Sequence, residues 1–136
     1  MKRSLARENA FILIFEKICR NDETAEEIFR MATEIRDLQY DDYIKQVFFG
    51  TETNAMLIGE LIDKHSVGWA KSRISPVSAA IIRLGIYELL FMDDIPARVT
   101  INEAVELAKK YDDEKSYSFV NGVLNAVAKD AAAKTV

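Results

Sequence analysis

Cysteine, histidine, glycine and proline are all scarce in this chain. Its 136 residues include one Cys, one His, five Gly and two Pro. A single cysteine excludes an intramolecular disulfide, and together with a single histidine it argues against a zinc site. Few glycines and prolines argue against a strand-rich fold, which needs many turns, and favour an all-helical chain. We therefore expect no cofactor, no metal site and a reducing, cytoplasmic setting.

Long apolar runs and catalytic motifs are missing from the sequence as well. No apolar run reaches the ~18 residues of a membrane span, and the amino-terminal run 11–15 is too short for a signal peptide. The sequence contains no GxGxxG, P-loop or CxxC motif. His65 falls on the predicted buried side of a helix, and Cys19 is expected to be a small buried hydrophobe. We therefore expect no catalytic residues and a protein that is not an enzyme.

Charge is distributed unevenly along the chain, although the net charge is only −4. Residues 1–20 carry five basic and two acidic residues, a net charge of +3. Residues 22–42 carry two basic and eight acidic residues, a net charge of −6. A basic segment beside an acidic one is compatible with nucleic-acid binding or with solvated helix faces, and charge alone favours the second interpretation.

Apolar residues recur with a helical period through the first half of the chain. The predicted helices run from about Ser4 to about Cys19, from a Thr24–Glu27 capping box to about Leu38, and from Asp41 or Asp42 to His65. Gly50 and Gly59 permit a kink in the third, long helix. Residues 66–74, with a short helical turn around Trp69 and with Lys71 and Arg73, are expected to separate two halves.

The second half begins with Ser75-Pro76, an N-cap serine followed by proline at the first helical position. The helix that follows is apolar nearly all round, which predicts a position at the centre of a bundle. A second capping box, Thr100–Glu103, is expected to open a helix that ends near Tyr111. The last helix is predicted from about Lys115 to Ala132.

The segment Phe119–Leu124, FVNGVL, contains an Asn-Gly pair, which is the usual signal of a hairpin turn. Apolar residues follow a 3.6-residue period across the pair, so we predict a helix. Gly122 is expected on the apolar side, where it would let another helix approach closely. Asn121 is expected on the opposite side, in a polar strip with Lys115, Ser118, Asn125 and Lys129.

Several motifs of the chain together resemble the transcription antitermination factor family NusB. The matching elements are Tyr87-Glu88-Leu89 in the apolar helix, Ile95-Pro96, Val99, Ile101-Asn102-Glu103-Ala104 and Phe119-Val120-Asn121-Gly122-Val123-Leu124. The amino-terminal half matches through Arg7, Ala10, Phe15 and Trp69. The resemblance covers the whole chain.

The resemblance implies an all-α, NusB-like domain of about seven helices over residues 1–136. It would comprise two packed three-helix sub-bundles, an amino-terminal one over about 1–70 and a carboxy-terminal one over about 71–136. It also implies a bacterial, cytoplasmic RNA-binding factor without a membrane association. Such factors bind the boxA element of ribosomal RNA leader transcripts together with the ribosomal protein NusE. They join the RNA polymerase elongation complex with other Nus factors, as monomers or weak homodimers.

Residue by residue, the resemblance implies RNA contacts in two segments. The implied RNA-binding residues are Lys2, Arg3, Arg7, Lys115, Tyr117, Ser118 and Asn121. The NusE-facing surface would involve the central helix, with Ser78 on its exposed edge. Ser4, Leu5 and Ser118 stand where many members have more positive charge. We therefore predict weak RNA affinity for the protein alone, a shallow salt dependence and reliance on its partner.

Two other interpretations remain beside this one. The same helical module occurs as the amino-terminal RNA-binding domain of ribosomal RNA cytosine methyltransferases, but no nucleotide-binding glycine motif is present here. The chain could instead be a helical adaptor that binds only protein, with weak or lost RNA binding. An RNA titration distinguishes the adaptor, which would show no boxA preference even with NusE.

Overall fold

The computed structural model describes residues 1–69 and 74–134, and every regular element in these ranges is helical. The helices are α1 (Arg3–Cys19), α2 (Ala25–Arg30, continued by a π-helical turn over Met31–Ile35), α3 (Asp42–Thr53), α4 (Ala55–His65), α5 (Pro76–Phe91), α6 (Ala97–Tyr111) and α7 (Glu114–Lys134). The predicted all-α class is confirmed. None of the helices described is both long and apolar enough to cross a membrane.

Three helix starts follow from local side-chain caps, as the sequence predicts. The Thr24 hydroxyl accepts the N–H of Glu27 at 3.1 Å, and the Asp41 carboxylate accepts the N–H of Ile44 at 3.0 Å. The Ser75 hydroxyl accepts the N–H of Ser78, also at 3.0 Å. Each cap satisfies an N–H group that has no partner inside its helix, so these boundaries are set locally.

The prediction of one long third helix is wrong, because the structure has two helices there, separated at Asn54. The side-chain amide of Asn54 donates a hydrogen bond to the carbonyl oxygen of Gly50 at 2.8 Å and so caps the carboxy-terminal end of α3. The chain then resumes as α4, so the break lies at neither Gly50 nor Gly59. Cys19 also departs from expectation, since it is exposed at the last turn of α1.

Helix α5 lies at the centre of the fold, as its all-round apolar sequence predicts. Helices α1, α3, α4, α6 and α7 all pack against it. Its fully buried side chains include Ile81, Ile82, Leu84 and Ile86. At Gly85 a Cβ atom would lie 2.8 Å from both Leu124 methyl groups, so the missing side chain lets α7 approach. The close approach of two helices that was predicted at Gly122 is therefore made at Gly85 instead.

Gly122 itself is exposed, and a Cβ atom built there would meet nothing within 4 Å. The prediction of a buried glycine is wrong because of its angular position. Phe119, Val120, Val123 and Leu124 are buried, and at 100° per residue Gly122 points about 130° from the centre of their face. It lies instead among the exposed residues Ser118, Asn121 and Asn125.

The predicted junction between the two sub-bundles, residues 66–74, includes residues 70–73, which lie outside the described part of the chain. Lys71 and Arg73 are outside the described residues, and the division near residue 70 stays a prediction. The short turn before it is described: the N–H of Trp69 donates to the carbonyl oxygen of Ser66 at 3.0 Å.

Candidate nucleic-acid interface

Lys2 and Arg3 lie exposed at the amino-terminal end of α1, which we call the amino-terminal patch. Helix α1 has no side-chain cap on its first turn and no acidic residue there. Cations at a helix amino terminus oppose the helix dipole, so this arrangement costs stability. Free N–H groups beside two cations are suited to an anion such as a phosphate group.

The guanidinium of Arg3 is held over an aromatic ring. Its Cζ atom lies 4.4 Å from the ring centroid of Tyr43, on α3. Tyr43 is buried, and its hydroxyl donates a hydrogen bond to Glu88. Burial, then the charge of Glu88, raises the pKa of Tyr43, so its hydroxyl keeps the donated proton. A rigid ring under Arg3 restricts the guanidinium before any ligand arrives.

Arg7 is not part of this patch, which contradicts the prediction for it. The residue is 1% exposed, and its Nε and Nη2 atoms donate to Glu88 at 2.7 and 3.3 Å. Burial works against the charge of Arg7, but the hydrogen bond and negative charge of Glu88, together with Tyr43 and Glu103, outweigh it and raise the pKa of Arg7. The guanidinium is therefore charged and committed to the protein interior.

Glu88 is the centre of a buried polar cluster that joins four helices. It accepts hydrogen bonds from Arg7 of α1, Tyr43 of α3 and Thr100 of α6, the last at 2.7 Å. Thr100 is not a helix cap as predicted, because α6 already begins at Ala97. Glu103 lies 3.6 Å from Arg7 Nη1 and accepts from Ser4 at 3.2 Å. The cluster thus fixes the helix that carries the amino-terminal patch.

A second group of predicted residues lies together on the first turns of α7. Lys115, Ser118 and Asn121 are exposed and Tyr117 is partly buried, and we call this group the α7 strip. Asp113 starts the helix by accepting the N–H of Ser116 at 2.9 Å. The strip therefore offers one cation, one aromatic ring and uncharged hydrogen-bonding groups.

Lys109 is a neighbour of the α7 strip that the sequence did not single out. Its Nζ atom lies 5.4 Å from the ring centroid of Tyr117. The contact arises because α6 and α7 pack side by side, which no local pattern reveals. Lys109 therefore adds a cation beside Tyr117, although it also pairs with Glu106 at 3.6 Å.

An open groove of about 930 Å³ adjoins the α7 strip. It is lined by Gly68, Trp69, Ile74, Asp113, Glu114, Lys115, Ser116, Tyr117, Ser118 and Phe119. About nine residues of α6 separate Glu103, which Ser4 contacts, from Asp112 before α7. At 1.5 Å per residue this stretch is about 14 Å long.

Ser78 is fully buried, which contradicts its predicted place on an exposed edge. Its hydroxyl donates to Asp112 at 3.2 Å, and Ser75 donates to the same oxygen. Burial alone would raise the pKa of Asp112, but hydrogen bonds from Ser75, the Asp113 backbone, Ser116 and Ser78 outweigh it and lower that pKa. Ser78 therefore belongs to an internal contact between α5 and the α6–α7 junction.

No group of His, Cys, Asp and Glu side chains in the described part of the chain could hold a metal ion.

Comparison with known proteins assigns the family. A model described as "NusB family" matches residues 4–129. The transcription antitermination protein NusB of Natranaerobius thermophilus is 43% identical over 132 residues, which are 94% of this chain and 95% of that protein. The NusB of Acetivibrio thermocellus is 47% identical over 131 residues, 95% of this chain and 90% of that protein.

Solved structures agree with the sequence comparison. NusB of T. maritima superimposes with a TM-score of 0.82 at 37% identity, covering 96% of this chain and 92% of that one. A chain from the crystal structure of antitermination factors NusB and NusE in complex with double-stranded RNA gives 0.81 at 31% identity, covering 94% and 96%. With the family match spanning most of its length, this chain belongs to the NusB family.

Proposed function

We propose that this protein is a bacterial transcription antitermination factor without catalytic activity, acting in the cytoplasm. It binds boxA RNA of ribosomal RNA leader transcripts together with NusE and helps RNA polymerase resist termination. The observation that carries the proposal is the pair of exposed surfaces, the amino-terminal patch and the α7 strip. The names of its relatives and the neighbouring NusB–NusE–RNA structure support it.

The two surfaces have different chemical tasks in this proposal. Lys2 and Arg3 contact phosphate groups, with Arg3 positioned by the ring of Tyr43. Tyr117 stacks on a base, while Ser118 and Asn121 hydrogen-bond to base edges or 2′-hydroxyl groups. A single-stranded segment such as boxA extends from the amino-terminal patch to the α7 strip in this proposal.

The small number of cationic side chains in the amino-terminal patch makes RNA binding dependent on NusE in this proposal. With Arg7 buried, the amino-terminal patch has two cationic side chains instead of the three expected. Few phosphate contacts give low affinity and a shallow salt dependence. NusE would add contacts with the RNA or hold the complex together, so affinity should rise when it is present.

Fluorescence anisotropy of a labelled boxA RNA tests the proposal, with and without NusE and against a scrambled RNA. Preference for boxA, strengthened by NusE and weakened by Arg3→Ala, supports it. Equal weak binding to both RNAs in the presence of NusE overturns it and leaves the protein-only adaptor. Arg3→Ala is the appropriate variant because Arg7→Ala would disturb the buried cluster around Glu88.

A further inference from the structure

Trp69 is the only tryptophan of the chain, and it is 41% exposed. Two features fix its position. The turn that precedes it contains Gly68 at φ +94°, a conformation that glycine adopts without strain, and closes through the Ser66–Trp69 hydrogen bond. The indole then packs edge-on against Phe119 of α7, with ring centroids 4.9 Å apart.

Phe119 is itself buried in the core, so Trp69 is anchored while much of its side chain stays accessible. The groove beside it is within the size range of small-molecule sites. An anchored, accessible aromatic ring in a groove is suited to stacking on a flat aromatic ligand.

Charge on the groove determines which part of a nucleic acid fits. Asp113 and Glu114 line it and would repel a phosphate group. The Asp113 carboxylate already accepts from Ser116, while Glu114 is exposed and can accept from the amino group of a base. Lys115, on the same groove, supplies the cation for a neighbouring phosphate.

We propose that this groove binds one unpaired nucleobase of a single-stranded RNA, stacked on the indole of Trp69. The flanking phosphate lies at Lys115, and the strand continues along Ser118 and Asn121 of the α7 strip. The inference rests on the proposed RNA-binding function and specifies where the strand begins its contact with α7. Lys109 supports it by bringing a second cation to Tyr117, at the edge of the same groove.

The sole tryptophan gives a direct reporter of this contact. Intrinsic Trp69 emission is followed while unlabelled boxA RNA is added to the full chain with NusE, and anisotropy of labelled RNA is measured in parallel. A stacked base is expected to quench the emission and to protect the indole from acrylamide, along the same binding curve as the anisotropy. Emission that does not change while the anisotropy saturates overturns the inference and leaves the RNA-binding function intact.

Substitutions then test whether the contact contributes affinity. Trp69→Leu is expected to weaken RNA binding about 5- to 150-fold, the range for losing one base–aromatic stack, while Trp69→Phe retains most of the affinity. Phe91→Leu is the matched control, because Phe91 is an exposed aromatic at 42% that lies outside the groove lining. Circular dichroism melts of all three variants separate loss of the stack from loss of folding.

An abasic scan of the RNA identifies the stacked position. One abasic site should weaken binding to the wild type and have no further effect on Trp69→Leu, whereas the other positions should weaken both proteins alike. If every abasic site acts additively with Trp69→Leu, the stacking contact does not exist. If neither protein binds boxA in preference to a scrambled RNA, even with NusE, the proposed function fails and this inference fails with it.

Discussion

The guanidinium of Arg7 and the carboxylate of Glu88 form a buried ion pair that joins α1 to the central helix across 81 residues of sequence. Glu88 is 0% exposed, and hydrogen bonds from Tyr43 and Thr100 complete its coordination. A buried charge is tolerated when its partner and its remaining hydrogen bonds are all in place. The pair therefore determines how α1, and with it the amino-terminal patch, is held on the core.

Removing the negative charge should destabilise the protein severely. Glu88→Gln keeps the shape of the side chain but removes the buried counter-ion of Arg7 and leaves only the partly exposed Glu103, 3.6 Å from Nη1. We expect it to lower the free energy of unfolding by about 3 kcal/mol, at the lower end of the range for breaking a buried pair. Urea denaturation followed by circular dichroism measures this change.

The double variant Arg7→Met, Glu88→Gln is the control for that experiment, since it removes both charges together. It should recover part of the lost stability, because replacing a buried ion pair by groups of similar volume costs less than breaking it. A double variant no more stable than Glu88→Gln would mean that the charge of Arg7 is not the source of the penalty.

Local signals explain why much of the fold could be predicted from the sequence. Thr24, Asp41 and Ser75 each cap a helix through a contact three residues away, so the pattern and the structure have the same cause. The apolar circumference of α5 likewise predicts its central position, because such a surface has to be covered on every side.

The site was harder to predict because several of its residues are defined by tertiary contacts. Arg7 belongs to a basic segment in the sequence, and only the position of Glu88 makes it a buried residue. The pattern Thr100-x-x-Glu103 is typical of a capping box, yet both side chains belong to the cluster around Glu88. Ser78 is polar and still buried, because its hydroxyl donates a hydrogen bond to Asp112.

Arg3 should contribute to RNA binding through charge without contributing to the core. Arg3→Gln is expected to weaken binding of single-stranded RNA and to reduce the slope of log K against log salt by about 0.7, the value for one lost phosphate contact. Anisotropy titrations over a series of salt concentrations measure the slope, and thermal unfolding should be nearly unchanged.

Arg30→Gln makes the same change of charge on α2, where Arg30 pairs with Glu27 and Glu34 instead. This control should leave the salt slope unaltered. Equal effects of Arg3→Gln and Arg30→Gln would mean that RNA responds to net charge and that the amino-terminal patch has no special role.

Two glycines should respond to alanine in opposite directions. Gly122→Ala adds a methyl group in open space on an exposed helix, and we expect it to raise the free energy of unfolding by about 0.5–1 kcal/mol. Gly50→Ala would place a Cβ atom 2.6 Å from Cζ of the buried Tyr87 ring, and we expect a loss of about 1–3 kcal/mol. Thermal and urea unfolding of both variants measure the two changes, and destabilisation by Gly122→Ala would contradict the exposed position of that residue.

Asp112 should make stability depend on pH in the acid range. Its carboxylate accepts from Ser75 and Ser78 at the amino terminus of α5, where a negative charge also interacts favourably with the helix dipole. Because folding lowers its pKa below the ordinary 3.8, the folded state favours the charged form. The resulting stability is present above pH 3.8 and is lost as the pH falls through the lowered pKa.

Asp112→Asn should therefore be less stable than the wild type at neutral pH, with a difference that shrinks on acidification. Urea unfolding of both proteins across this range measures the difference, and Asp93→Asn, at an exposed position between α5 and α6, is the control for the loss of one carboxylate. A difference for Asp112→Asn that stays constant down to the acid limit would show that its hydrogen bonds do not depend on the charge.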